Sequence, residues 1–364
     1  MRLLGLSPRP FPLSKRSGEQ SLQKNVPGHT RCSAATAAEV TVQSPATKQV
    51  PYWIGKSGPI SQAINAAINT PAIWSIMRMG ARNAMTSTAE KAGIPWKQTV
   101  TELQACEELE KLRSHLVDPD FIYPEYADRK FHAYDGGNLD WQAVWEVEPA
   151  TAATAVRVFK NDNLDPAIAM STMRQSFTHA VQDFCRRHGV VVQHSLDAGC
   201  AGGESTRWLA DAFPSAHTTG VDISAHFLAL AELRRRQADT ANPAASVEYM
   251  HASAESLPMA DCSLDLITGS YLLHELPASA TQELLQEAHR VLRPGGVVAV
   301  IDGDPWSDVH QQMPLPIATL MKSTEPYLDE YFSLDLEAAM RDAGFRHIEY
   351  LPVNHRHRVM IGCS

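Results

Sequence analysis

Two acids stand where apolar runs give way to small residues, and their placement decides what chemistry the chain can host. Asp197 opens the run Asp197-Ala198-Gly199-Cys200-Ala201-Gly202-Gly203, and Asp222 closes Thr219-Gly220-Val221-Asp222. Small residues let backbone approach a ligand closely, and glycine admits the dihedrals of a tight turn. A loop that meets a pyrophosphate through its amides is usually left uncharged. An acid ahead of the glycines points instead to a ligand bearing positive charge. At the end of the next strand, a carboxylate can accept hydrogen bonds from both hydroxyls of a ribose. Either acid alone would pass as a helix N-cap or a solvated loop end. Together they mark a nucleoside site.

Other reactive groups follow the apolar segment Leu264 to Ser270, namely Tyr271, His274 and Glu275. An imidazole titrates near neutrality, which makes His274 the candidate general base, with simple packing under the next loop as its alternative. Asp135 and Asn138 are candidates to touch a substrate, although their glycine-rich setting suits a plain turn equally. Asp261 and Asp265 read as a turn residue and a structural strand acid, so no metal site is expected. The six cysteines form no C-x-x-C pair, which argues against a zinc knuckle or a dithiol redox site. Their sparse use fits a reducing compartment.

These groups need a frame to hold them. From Asp165 the chain alternates helical and extended patterns. Asp165-Pro166 reads as an N-cap and first helical residue, Met173, Phe177, Ala180 and Phe184 share one helical face, and Gly189 ends it. Strands are expected from Val190 to Leu196, Thr218 to Val221, Val247 to Met250, Leu264 to Ser270 and Val297 to Ile301, with helices between. The helix capped by Ser224 ends in Arg234, Arg235 and Arg236, which suits the negative end of its dipole. Such alternation implies a doubly wound α/β domain with a mostly parallel sheet. The last pair, His347 to Leu351 and Arg358 to Gly362, is joined too tightly for a crossover helix. It therefore adds one antiparallel strand, giving about seven.

Ahead of that domain, residues 51–164 are expected to form a mainly helical, partly irregular cap or lid, with one amphipathic helix from Val100 to Leu116. Residues 1–50 carry Arg2, Arg9, Lys15, Arg16, Lys24, Arg31 and Lys48 against only Glu19 and Glu39. That composition predicts a disordered leader and resembles an organelle transit peptide, to a chloroplast or alternatively a mitochondrion. Across the whole sequence, 44% hydrophobic and 20% charged residues are ordinary for a globular chain. No apolar run reaches membrane-spanning length. A net charge of -9 argues against a nonspecific nucleic-acid binder.

The segment Leu196 to Thr206 resembles the first motif of class I S-adenosylmethionine-dependent methyltransferases, D-x-G-x-G-x-G, with Ala201 standing where the central glycine usually is. Asp222 and Ile223 match that family's ribose-binding acid and adenine-flanking apolar residue. Ala252-Ser253-Ala254-Glu255-Ser256-Leu257-Pro258 resembles its D-A-E-x-L-P segment, with Ser253 in place of aspartate. Ser263-Leu264-Asp265-Leu266-Ile267 is similar to its S-F-D-L-V strand, and Arg290 to Gly296 to its R-V-L-K-P-G-G turn. The nearest subgroup is type 11, which includes the C-methyltransferases of ubiquinone and menaquinone synthesis. Phe131 to Trp141, Lys322 to Pro326 and His355 to Arg358 resemble plastid-targeted members of plants and algae.

What the resemblance implies is a cofactor site of Asp197, Gly199, Cys200, Ala201, Gly203, Asp222, Ile223, Ser253, Ala254, Glu255 and Ser270, holding S-adenosylmethionine. The reaction it implies is in-line methyl transfer to a small, apolar or aromatic organelle metabolite. Two alternatives stand beside it: a non-catalytic binding protein of the same fold, and an NAD(P)-dependent oxidoreductase, disfavoured by Asp197 and the Leu292-Arg293-Pro294-Gly295-Gly296 turn. Oligomeric state is left open.

Overall fold

Extended segments that alternate with helices can bury their apolar faces only as a sheet covered on both sides, and the computed structural model has that form. It describes residues 48–364 apart from 56–57, 60–61, 64–65, 67–69, 129–133, 135 and 240–245. The expected leader, up to residue 47, and Asp135 therefore lie outside the described residues. The cap region holds α1 (Pro71–Lys91), α2 (Trp96–Gln104), α3 (Glu108–Leu116) and α4 (Trp141–Val158). Then follow α5 (Pro166–Arg187), β1 (His194–Ala198), α6 (Glu204–Ala212), β2 (His217–Asp222), α7 (Ala225–Asp239), β3 (Ser246–His251) and β4 (Leu264–Ser270). The chain continues through α8 (Ala278–Val291), β5 (Leu292–Gly303), α9 (Asp308–Gln311), α10 (Leu315–Thr324), α11 (Leu328–Ser333), α12 (Leu336–Asp342), β6 (Arg346–Pro352) and β7 (His357–Cys363).

The seven strands form one sheet in the order β3-β2-β1-β4-β5-β7-β6. Only β7 is reversed, pairing antiparallel with both β5 and β6, as the short final connection requires. Because side chains alternate along a strand, each strand serves two cores. Leu266, Val297, Ala299, Ile301, Val359 and Ile361 meet α5 and α6. Leu196, Ile267, Val298, Val300 and Met360 meet α8, α11 and α12 on the other face. The cap helices belong to the same compact unit as the sheet, Val42–Ser364. No helix among the described residues is long and apolar enough to cross a membrane.

Several expectations need correction. The strand expected from Val190 starts only at His194. At this point the amides of Gln193 and His194 each donate to the Asp265 carboxylate at 2.9 Å, fixing where the chain enters the sheet, and Val191 is left 74% exposed. The single helix expected from Val100 to Leu116 is two helices, broken between Gln104 and Glu108. The break lets Leu103, Leu109 and Leu112 all pack on Phe227, Leu230 and Leu233 of α7, which a straight rod at 100° per residue would not do as well. Arg234 does more than meet a helix dipole. Its guanidinium grips Glu148 of α4 at 2.6 and 2.7 Å, tying cap to sheet. Asp165 caps α5 as expected, accepting from the Ala167 amide at 2.9 Å.

Candidate active site

The carboxyl ends of β2, β1, β4 and β5, with the start of β7, open onto one cavity of about 1250 Å³. Its floor is the turn after β1, where Gly199 (φ 64°), Ala201 (φ 44°) and Gly203 (φ 76°) all adopt left-handed dihedrals. That explains why glycine is usual at the position of Ala201, which bears a strain of about 1 kcal/mol. The turn is stitched to β2: Cys200 N–H donates to Val221 O at 3.0 Å, and Ala201 N–H to Asp222 Oδ2 at 2.8 Å. Asp222 Oδ1 accepts from Ser224 N–H at 2.8 Å. Each carboxylate oxygen keeps a second lone pair, and Asp222 lines the cavity. Burial pushes the Asp222 carboxyl up to about 6, against the lowering effect of those two amides.

Gly203 shows what the turn demands. A Cβ there would run into the Tyr249 hydroxyl and come within 2.8 Å of the Ala231 methyl, whereas at Gly295 (φ 81°) it would meet nothing. Gly203→Ala is therefore expected to cost roughly 2–4 kcal/mol, adding overpacking to dihedral strain, and Gly295→Ala only about 1 kcal/mol. Urea denaturation of both variants checks the difference. Equal losses would show that the turn relaxes freely.

Two of the expected cofactor residues, Asp197 and Gly203, are buried behind the cavity wall. The Asp197 carboxylate is 1% exposed and accepts from Ser205 Oγ (2.7 Å), Thr206 Oγ1 (2.8 Å) and Thr268 Oγ1 (3.2 Å). It anchors the first turn of α6 instead of lining the cavity. The half-buried Ser253 donates its hydroxyl to Glu255, which lines the cavity. Gly203 also lies beneath the surface. Gly199, Cys200, Ala201, Ile223, Ala254, Glu255 and Ser270 all line the cavity. Tyr126 of the cap donates to Glu255 as well, and Asn138 donates to Glu275 at 2.6 Å while its carbonyl accepts from Ser224 Oγ at 2.7 Å. The cap is thus pinned to both ends of the nucleoside wall.

Past β4, Tyr271 (φ 57°), His274 and Glu275 line the same cavity. The structure adds Asp302, at the end of β5, which the sequence reading missed. His274 Nδ1 lies 2.9 Å from Asp302 Oδ1, and the His274 amide donates to Oδ2 at 3.1 Å. Burial alone would lower the imidazole pKa, but the adjacent Asp302 carboxylate overrides it and pushes His274 up to about 9. Asp302 is held below the usual carboxylate range despite its burial, by the charge and hydrogen bond of His274. The pairing fixes Nδ1 as the donor and leaves Nε2 for the cavity. Arg174 of α5, also missed, is 8% exposed, lines the cavity and has an Nε without a partner.

A family model described as a methyltransferase domain matches residues 196–296, which span the turn, both nucleoside walls and the His274 segment. An uncharacterized methyltransferase of Synechocystis sp. is 32% identical over 153 residues, covering 42% of this chain and 66% of the relative. A demethylmenaquinone methyltransferase of Listeria welshimeri is 30% identical over 174 residues, covering 43% of this chain and 71% of the relative. The chain belongs to the class I S-adenosylmethionine-dependent methyltransferases. Its cofactor is S-adenosylmethionine. A crystal structure of an S-adenosylmethionine-dependent methyltransferase from Aquifex aeolicus aligns with this methyltransferase at a TM-score of 0.39 and 18% identity, over 52% of this chain and 92% of that one. The Synechocystis match thus spans just under two thirds of that relative's length.

Proposed function

We propose that this methyltransferase acts on a small, largely apolar or aromatic organelle metabolite, and that His274 removes the proton its acceptor atom must lose. The observation that carries the reading is the His274–Asp302 pair facing the cavity that Asp222 and Gly199 also line. The donor set fits the cofactor. Asp222 has lone pairs for ribose hydroxyls, Ile223, Ala252 and Ala254 offer apolar walls for a base, and Arg174 brings an unpartnered guanidinium nitrogen for a carboxylate. When bound, the cofactor supplies a methyl group already activated by its sulfonium.

The protein's own contribution is then position and proton transfer. The cavity walls hold the acceptor for in-line attack, which can contribute several kcal/mol by removing orientational freedom. His274 Nε2 accepts a proton from a hydroxyl or an activated carbon, and Asp302 stabilises the imidazolium that results. Met313, Ile317, Leu320 and Met321 give the cavity an apolar wall, which suits a hydrophobic acceptor. The basic leader supports an organelle address, chloroplast first.

The test is acceptor-dependent conversion of labelled S-adenosylmethionine to S-adenosylhomocysteine, with small-molecule extracts of chloroplasts and of mitochondria as acceptor sources. Methylated product from the chloroplast extract is the expected result. Tight cofactor binding with no turnover on either extract would move the chain to the non-catalytic reading.

A further inference from the structure

The turn between β6 and β7 brings cationic side chains to the far end of the cavity. Arg356 lies on this turn and Arg157 near the end of α4, and both line the cavity. Neither guanidinium has a carboxylate partner among the described residues, and Arg356 Nε is buried without any hydrogen bond. Next to it, His357 is 9% exposed and its Nδ1 is equally unpartnered. Burial and then the charge of Arg157 hold Arg356 below the usual arginine range, so the exposed Arg157 guanidinium lies near enough to repel it.

Backbone bonds fix this turn in place. Asp304 N–H donates to Arg356 O at 2.8 Å, and Gly303 pairs with His357 across β5 and β7. Along the sheet the order is β2, β1, β4, β5, β7, so chemistry follows position: Asp222, the glycine turn, His274, Asp302, then the arginines. From β1 to β7 is three strand spacings, roughly 14 Å at about 4.8 Å each. The arginines therefore lie beyond the proton-accepting pair as seen from the cofactor wall. Arg356 is half-buried and its buried Nε has no partner, so a bound anion would offset the cost of desolvating that nitrogen.

We infer that Arg356 and Arg157 form a seat for an anionic group, a carboxylate or a phosphate, on the methyl acceptor. The acceptor class is then an amphiphile, with its apolar body against Met313, Ile317 and Met321 and its charged end at the β6–β7 turn. This inference rests on the proposed methyl-transfer reading for the identity of the anion as part of an acceptor.

The experiment is calorimetric titration of the full chain, with S-adenosylhomocysteine present, using octanoate, octyl phosphate and octanol as probes. An anionic probe is expected to bind at least about tenfold more tightly than octanol, and whichever anion binds better identifies the source. Arg356→Gln and Arg157→Gln should each weaken the anion by roughly 10- to 100-fold, leaving octanol and S-adenosylhomocysteine unchanged. Octanol binding as well as the anions, or variants binding anions like the wild type, would overturn the seat. So would a loss of S-adenosylhomocysteine affinity at unchanged melting temperature, which would assign the arginines to the cofactor. If a variant melts early, the wild type decides: anion affinity must fall with added salt while octanol affinity does not. Failure of the wild type to bind S-adenosylhomocysteine would instead count against the proposed function, and the anion-to-octanol ratio would still read the seat.

Discussion

Asp222→Ala is expected to weaken S-adenosylmethionine binding by about 100-fold or more, with NAD failing to bind either form. The magnitude follows from two charge-assisted hydrogen bonds to ribose hydroxyls, each contributing on the order of 1.5–3 kcal/mol. Asp222 also accepts from the Ala201 and Ser224 amides at 2.8 Å, so the substitution removes one of the turn's two ties to β2 and leaves the Cys200–Val221 backbone bond. Against that loss, removing the carboxylate relieves the burial that pushes its pKa up to about 6, and the net change in melting temperature should be small. Asp222→Asn separates the two effects, since it keeps one acceptor for an amide and loses the charge. Calorimetric titration beside thermal melts reads both quantities. Unchanged affinity in the alanine variant would remove Asp222 from the cofactor site.

Asp222 was legible in the sequence for a physical reason: an acid closing a strand that alternates with helices lies at the carboxyl edge of the parallel sheet, where such folds bind ligands. The same signal was present in Val298-Ala299-Val300-Ile301-Asp302-Gly303, yet Asp302 was passed over because nothing local to it says that it meets His274, 28 residues away. Contacts between strand ends depend on sheet order, which alternation does not encode. Asp197 illustrates the opposite failure. Its carboxylate is buried and bonded through one oxygen to Ser205 and Thr206 on the first turn of α6 and through the other to Thr268 of β4, contacts that alternation does not encode. Ser253 has a near partner of its own in Glu255, two residues on. Of the two arginines, Arg356 was visible within a basic run, His355 to Arg358, and Arg157 was not singled out. Arg356 lies on the turn and lines the cavity, whereas Arg358 lies inside β7, 1% exposed and stacked 4.5 Å over Trp306, and the sequence does not mark where the turn gives way to the strand.

The pair His274–Asp302 carries the other large expected effect. His274→Gln should lower kcat by roughly 10²–10⁴-fold if the acceptor loses its proton in the slow step, with cofactor affinity retained. In the wild type, kcat/KM should rise with pH along a limb whose apparent pKa lies near the value of about 9 to which Asp302 pushes the imidazole, since only neutral His274 accepts a proton. Asp302→Asn must then move that limb to lower pH, because it removes the largest raising influence and leaves burial, which lowers the imidazole pKa, against only the smaller raising effects of Glu325 and Glu275. A merely structural histidine would give no such shift. The same pair links catalysis to stability with a fixed sign. A histidine whose pKa is raised on folding stabilises the fold fully below its unfolded value, near 6.5, and that contribution is lost as pH rises through about 9. The wild type should therefore lose melting temperature between pH 6.5 and 9 more steeply than His274→Gln, in the same window where its activity climbs. If His274→Gln keeps full kcat and the rate profile is flat, transfer proceeds by proximity alone and the pair serves only to hold the loop after β4 against β5.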